Sequence, residues 1–175
     1  MLKRKLKKLA RDPKLFFNDM LKNKKVKLQQ VLPQTVIGHY NYTVVSAVYN
    51  VGRYLDDYFK GFVSQKLNFK KHIQLILVDD GSTDNSAEII KKWQKKYPNN
   101  IKYIWKENGG QSSARNLGVE HVTTEWVSFI DPDDFVDQDY FLNIDTFLWK
   151  NKKENYFILA TRIVFYIENT KTYKD

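Results

Sequence analysis

From Asn41 onward, short β-branched and apolar runs alternate with segments whose apolar residues recur at helical spacing, and few folds accept that order. YTVVSAVYN reads as a buried strand, and RYLDDYFKGFVSQ follows with Leu55, Phe59, Phe62 and Val63 on one helical face. HIQLILVDD is a second strand. STDNSAEIIKKWQKKY is a helix, with Ser82, Thr83 or Asp84 available as its cap and Ile89, Ile90 and Trp93 as its core face. IKYIWKE is a third strand, NGGQ a turn, SSARNLGVEHV a helix and EWVSFID a fourth strand. Strands alternating with crossover helices of this length predict an α/β fold, a Rossmann-like and mainly parallel sheet with flanking helices. No internal repeat or low-complexity tract interrupts the pattern. The boundary of the sheet domain is expected between Pro33 and Tyr42.

In such sheets ligands bind outside the carboxyl ends of the strands, and the polar residues of this chain fall there. Tyr49 and Asn50 follow the first strand, Asp79, Asp80, Gly81 and Ser82 end the second, and Asp131, Asp133 and Asp134 end the fourth. In FIDPDDF the last three set three carboxylates against an apolar run. Taken singly, DPDD is more often a turn and helix-start signal, DDGSTDNS a turn with an N-cap, and Arg115 a surface helix arginine. Taken together, the clusters are expected to converge on one rim, which is hard to obtain by chance. His39, His72 and His121 show no metal-ligand spacing and are assigned no chemistry.

The formal charge of +9 is not evenly spread. Residues 1–27 hold 11 basic and 2 acidic side chains, hence the whole excess, and the other residues hold 18 of each. MLKRKLKKLARDPKLFF places Leu2, Leu6, Leu9 and Ala10 on one helical stripe among lysines and arginines. Residues 1–40 are therefore expected to form a basic, partly helical tail able to rest on an anionic membrane surface, each basic residue adding about 1 kcal/mol. A solvated basic arm or a helix packed on a partner is the alternative. The balanced body offers no matching basic face, so nucleic acid is not expected as a partner. There are no cysteines, which excludes a disulfide framework and a Cys-based zinc site and fits the cytoplasm. The most apolar stretch, FILATRIVFYI, is interrupted by Arg162 and falls short of the roughly 20 residues a spanning helix needs. The expectation is a soluble protein, at most peripheral on the cytoplasmic membrane face.

VVSAVYNVGRYL, LILVDDGSTDNS, ENGGQSSARNLG and FIDPDD occur in the order and at the spacing of family 2 glycosyltransferases, and Tyr42 to Phe141 resembles the donor-binding portion of these GT-A enzymes. The resemblance implies a GT-A nucleotide-sugar-binding domain over residues 41–175. It also implies a metal-dependent, inverting transfer from a nucleotide-diphosphate sugar, by family bias a UDP-sugar, to a saccharide or lipid-linked acceptor in surface polysaccharide biosynthesis. Carried over residue by residue, it has Ala47, Val48 and Tyr49 hold the nucleobase, and Asp79 with Asp80 accept a hydrogen bond from it. Arg115 would approach the base or diphosphate. Asp131, Pro132 and Asp133 correspond to the DxD motif, Asp131 lying near the ribose and Asp133, with Asp131, serving Mn2+ or Mg2+, while Asp134 assists through water. Gly109 and Gly110 would permit the backbone needed beside a phosphate, ahead of a helix starting near Ser112 or Ser113.

Physical chemistry gives the carboxylates of FIDPDDF a purpose: a divalent cation held among them stabilises the charge that develops on a departing nucleotide diphosphate. The general base of the family lies well downstream of its DxD motif. Here 41 residues follow Asp134, and their carboxylates, Asp137, Asp139, Asp145, Glu154, Glu168 and Asp175, stand in no recognisable family context. No base is nominated. The chain is expected to be the donor half, incomplete at its C-terminus, with a truncated, non-catalytic nucleotide-sugar-binding module as the alternative. A phosphotransferase would want an aspartate just after the first strand, where Tyr49 and Asn50 stand.

Overall fold

The structure is a computed structural model that describes residues 36–154 and the backbone of Phe165–Ile167 and Thr172–Lys174. The leucine stripe expected near the N-terminus and most of YFILATRIVFYI lie outside the described residues. The chain divides into two units, Gln34–Lys152 on the one hand and Met1–Pro33 with Lys153–Asp175 on the other.

The larger unit runs β1 (Tyr42–Val48), α1 (Gly52–Val63), α2 (Phe69–His72), β2 (Ile73–Asp79), α3 (Ser86–Lys96), β3 (Ile101–Trp105), α4 (Gln111–Val119), β4 (Trp126–Phe129) and α5 (Tyr140–Lys150). In the other unit, β5 (Phe165–Ile167) and β6 (Thr172–Lys174) form an antiparallel pair. β1 to β4 build one parallel sheet in the order β3-β2-β1-β4. The four strands and the three helices between them follow the alternation in the sequence. α2 is too short to show a period, and α5 lies beyond the motifs that organised the reading.

The central strands explain their own composition. β1 and β2 are covered on both faces, so Val44, Val45, Val48, Leu75, Leu77 and Val78 are wholly buried, and the strands read as continuous apolar runs rather than alternating ones. Leu55, Tyr58, Phe59 and Phe62 of α1 are buried as well, at on the order of 1.5–3 kcal/mol for each large apolar side chain removed from water. Val45, Ile76 and Val78 pack with Ala114 of α4. Gly118 makes that packing possible, because a Cβ there would lie 2.3 Å from the Val45 Cγ1. Helix and sheet can therefore meet backbone to side chain.

The strand order places the site. The chain steps from β1 to β2 to β3 in one direction, then crosses back so that β4 lies on the other side of β1. In sheets of this kind the reversal marks the place, outside the carboxyl ends of β1 and β4, where a ligand crevice is expected.

Candidate functional site

β1, β2 and β3 end level, with Val48 opposite Asp79 and Asp79 opposite Trp105. The end of β4 is pinned to β1 by Ser46, whose hydroxyl donates to the Ile130 carbonyl and also meets the Tyr58 hydroxyl at 2.7 Å. Burial pushes the Tyr58 phenol far above its usual range, which keeps it neutral. This buried cross-link carries the chain directly to Asp131 at the crevice.

The loops after β1 and β2 are laced together by short polar side chains. Asn50 sits in the left-handed region at φ 53°, where asparagine is tolerated. Its Oδ1 accepts from the Thr83 and Asp84 amides at 2.8 and 3.2 Å, and its own amide donates to Ser82 Oγ at 3.1 Å. Asp84 serves two helices, accepting from the Gly52 amide in the first turn of α1 and from the Ser86 amide in the first turn of α3, each at 2.9 Å. Burial opposes its ionisation, yet the bonds from Ser86 and Gly52 outweigh burial and hold the carboxyl below the usual range. The N-cap residue of α3 is nevertheless Asn85, one residue beyond the three expected.

Asp79 and Asp80 face inward. Asp79 is wholly buried and accepts from the Ser82 amide and the Tyr103 hydroxyl, both at 2.8 Å. Burial, then the bond and charge of Asp79, push the Tyr103 phenol far up, so it stays a donor. Asp80 accepts from Lys106 Nζ at 2.6 Å and from the Gly109 and Gly110 amides at 2.9 and 2.8 Å. Burial raises its carboxyl, but Lys106 and the two amides together lower it below the usual range. Asp80 is thus a fixed anion that shapes the turn entering α4. Its amide donates to the Val48 carbonyl at 2.8 Å, while the Tyr49 side chain stays 52% exposed at the rim. Ala47 is half-buried one residue before Val48.

That turn ends at Gly110, which is in the left-handed region at φ 88° and forms the N-cap of α4. The helix begins at Gln111, slightly ahead of the expected serines. A Cβ on Gly110 would meet no atom within 4 Å, so its backbone faces open space. One turn on, Arg115 pairs with Asp131 at 2.7 Å, and Gln111 reaches the same carboxylate at 3.3 Å. The guanidinium lies 5.9 Å over the Phe129 ring, and its Nε is buried without a partner, a donor the protein itself does not satisfy.

Asp133 and Asp134 are exposed in the turn after Asp131, closed by a 3.0 Å bond from the Asp134 amide to the Asp131 carbonyl. Burial, then the charges of Asp133 and Asp131, push the Asp134 carboxyl up. The donors are all oxygen, which suits Mg2+ or Mn2+. With Asp131 shared with Arg115, Asp133 and Asp134 are the carboxylates left open to a cation. Among the described residues no three His, Cys, Asp or Glu side chains are gathered to hold a metal ion, so an ion here would need phosphate oxygens and water for most of its shell.

Three of the downstream carboxylates, Asp137, Asp139 and Asp145, serve the frame. Asp137 accepts from the Asp139 amide, Asp139 pairs with Lys66 at 2.6 Å, and Glu154 is exposed. Asp145 is buried and accepts from the His39 and Tyr40 amides and the Tyr42 hydroxyl, at the amino end of β1 and so at the far end of the strand from the crevice. Glu168 and Asp175 lie outside the described residues. Sequence reasoning assigned no role to Ser46, Lys106 and Tyr103, whose partners lie on neighbouring strands and leave no local signal. Asn50, noted at the rim, was the one such residue with a cue, polar at a strand end.

Residues 43–174 match the family described as Glycosyl transferase family 2. The chain belongs to that family. The minor teichoic acid biosynthesis protein GgaB of Bacillus subtilis (strain 168) is 42% identical to this family member over 116 residues, 66% of this chain and 13% of that protein. GgaA of the same organism is 34% identical over 120 residues, 67% of this chain and 27% of that protein. S. aureus TarS 1-349 in complex with UDP-GlcNAc superposes with a TM-score of 0.59 at 25% identity, over 64% of this chain and 32% of that one. The mannosyltransferase PcManGT from Pyrobaculum calidifontis, in complex with GDP-Man and Mn2+, superposes with a TM-score of 0.58. At 22% identity, over 74% of this chain and 39% of that one, it bears on the fold alone. The fold is GT-A, and this family 2 chain spans well under half the length of each of these proteins.

Proposed function

We propose that this chain carries the donor site of a glycosyltransferase that moves a sugar from a nucleotide-diphosphate sugar, a UDP-sugar, to a saccharide or lipid-linked acceptor in surface-polysaccharide biosynthesis. The observation that carries the reading is the Arg115–Asp131 pair, 2.7 Å long, set at the crevice where the strand order reverses and followed by the open Asp133 carboxylate. The UDP-GlcNAc of TarS fits that donor, and the teichoic acid biosynthesis names of GgaA and GgaB fit surface-polysaccharide biosynthesis.

In this reading each part acts through its position. Tyr49, with the backbone of Ala47 and Val48, meets the nucleobase at the rim, and Asp79 and Asp80 hold the loops around it. The free amides at the start of α4 favour phosphate charge, as helix N-termini do. Arg115 supplies cationic N–H donors to the ribose or diphosphate while keeping Asp131 oriented. Asp133, with Asp131, would hold Mn2+ or Mg2+, whose chemistry is to neutralise the charge developing on the leaving diphosphate. Transfer with inversion needs a base to deprotonate the acceptor hydroxyl. Because Asp137, Asp139 and Asp145 are already engaged, a second reading stands beside the first, a module that binds the donor without transferring it.

Calorimetric titration of UDP with and without Mn2+ tests the donor site. The wild type is expected to bind in a metal-dependent manner and Asp133→Asn to lose that dependence while melting as the wild type does. Equal, chelator-insensitive binding by both would remove the DxD assignment. A paired transfer assay with UDP-GlcNAc separates enzyme from binding module. Residues 1–40 are proposed to keep the protein on the cytoplasmic membrane face.

A further inference from the structure

The near-perfect charge balance of the body conceals a segregation that the fold creates. Lys91, Lys92, Lys95 and Lys96 all lie on the exposed stripe of α3, and Glu88 is the only acidic residue on that helix. None of the four forms an ion pair among the described residues, whereas Lys60, Lys66 and Lys106 do. Lys95 and Lys96 are in the last turn, where the helix dipole favours cations, but Lys91 and Lys92 are not. The i,i+4 pairs Lys91/Lys95 and Lys92/Lys96 repel one another, so the arrangement weakens the helix. Glu88, at i,i+3 from Lys91 and i,i+4 from Lys92, offsets part of this repulsion, and the face keeps a net charge of +3.

Aromatic rings lie beneath these ammonium groups. Lys96 stands 5.0 Å from the Trp93 ring and 5.3 Å from the Tyr97 ring, and Lys91 stands 5.2 Å from the Tyr103 ring on β3. Lys70 of α2 joins the face, 6.0 Å from Tyr97. The rings are taken by one another: Trp93 stacks on Phe59 at 5.2 Å and on Tyr97 at 6.0 Å, and its indole N–H donates to Asp56 at 2.8 Å. They are not free to stack on nucleic-acid bases, and lysine lacks the planar fork that reads a single phosphate in a pocket. An exposed stripe of point charges over stacked aromatic rings suits an extended sheet of phosphates.

From this charge complementarity we infer that the α3 face docks on an anionic membrane surface, its lysines taking the phosphates of acidic lipid headgroups. Lysines near such a surface each add about fivefold to binding and are strongly salt-dependent. None of these four lysines is among the residues assigned to the donor site.

The test is co-sedimentation of the full chain with phosphatidylglycerol–phosphatidylcholine vesicles, against pure phosphatidylcholine, without nucleotide. The quadruple variant K91Q/K92Q/K95Q/K96Q, which keeps good helix formers, is expected to lower the partition coefficient at least tenfold, with an unchanged far-UV melt and unchanged UDP binding. The double variant K91Q/K92Q, with an expected fall of roughly fivefold or more, keeps the test sound if the quadruple variant fails to fold. A charge-matched variant, K3Q/K5Q/K7Q/K8Q, reads the N-terminal segment separately. Partition unchanged by the α3 substitutions would overturn the inference. So would binding of a soluble polyphosphate or a single-stranded oligonucleotide that matches vesicle binding in strength and sensitivity to these variants.

Discussion

Asp80→Asn separates two roles that a rim carboxylate can have, contact with the nucleobase and control of a turn. The Asp80 side chain is 4% exposed and accepts from Lys106 Nζ and from the Gly109 and Gly110 amides. An asparagine keeps one oxygen and turns an NH2 against one of these donors, and it removes the charge that pairs with Lys106. Breaking a buried pair costs about 3–5 kcal/mol; with the Lys106 side chain 19% exposed, part of that is recovered by water, leaving about 2–4 kcal/mol. For a chain of this size that is a fall in Tm of roughly 6–12 °C. The pH dependence has a definite sign. The folded-state pKa of Asp80 is depressed, so its stabilisation is present above the unfolded value of about 3.9 and is lost as pH falls through the folded value. Thermal melts of both proteins across pH should therefore show a gap that is full at neutrality and closes on acidification. An unchanged Tm at neutral pH together with a collapse of UDP affinity would refute the reasoning and make Asp80 a ligand contact.

Gly118→Ala gains about 1 kcal/mol of helix propensity, but it places a methyl group 2.3 Å from a fully buried Val45, and overpacking costs about 1–3 kcal/mol. A net loss of up to about 2 kcal/mol in urea denaturation is expected, and a stabilised variant would mean that α4 does not press on β1 at this point. Arg115→Met should lower UDP affinity roughly tenfold by calorimetry while shifting Tm little, since the Arg115–Asp131 pair is partly exposed; unchanged affinity would take Arg115 out of the donor site. Deleting residues 1–27, which carry the whole +9, should weaken sedimentation with anionic vesicles at low salt and leave UDP binding intact. Vesicle binding unaffected by the deletion would give the tail another purpose.

The period of the apolar residues was enough to place four strands and the three helices between them, because burial on both faces of a parallel sheet demands continuous runs such as LILV, and helices covering it demand faces such as Leu55, Phe59 and Phe62. The clustering of Tyr49, Asp79 and Asp131 at strand ends was likewise legible, since parallel connections bring every carboxyl end to one rim. What each polar residue does there was not. Asp79 and Asp80 look in the sequence like two equal ligands, yet their partners Tyr103, Lys106, Gly109 and Gly110 arrive from the next strand and the loop after it, 24 to 30 residues on. Asp145 could have been a base until α5 carried it, 103 to 106 residues from its donors, to the amino end of β1. The lysine face of α3 likewise needs the folded chain, since only the helix puts Lys91 to Lys96 on one side and only the sheet brings Tyr103 beneath them. Local periodicity is written in neighbouring residues, whereas the partner of a buried charge is chosen by the packing that excludes water from it.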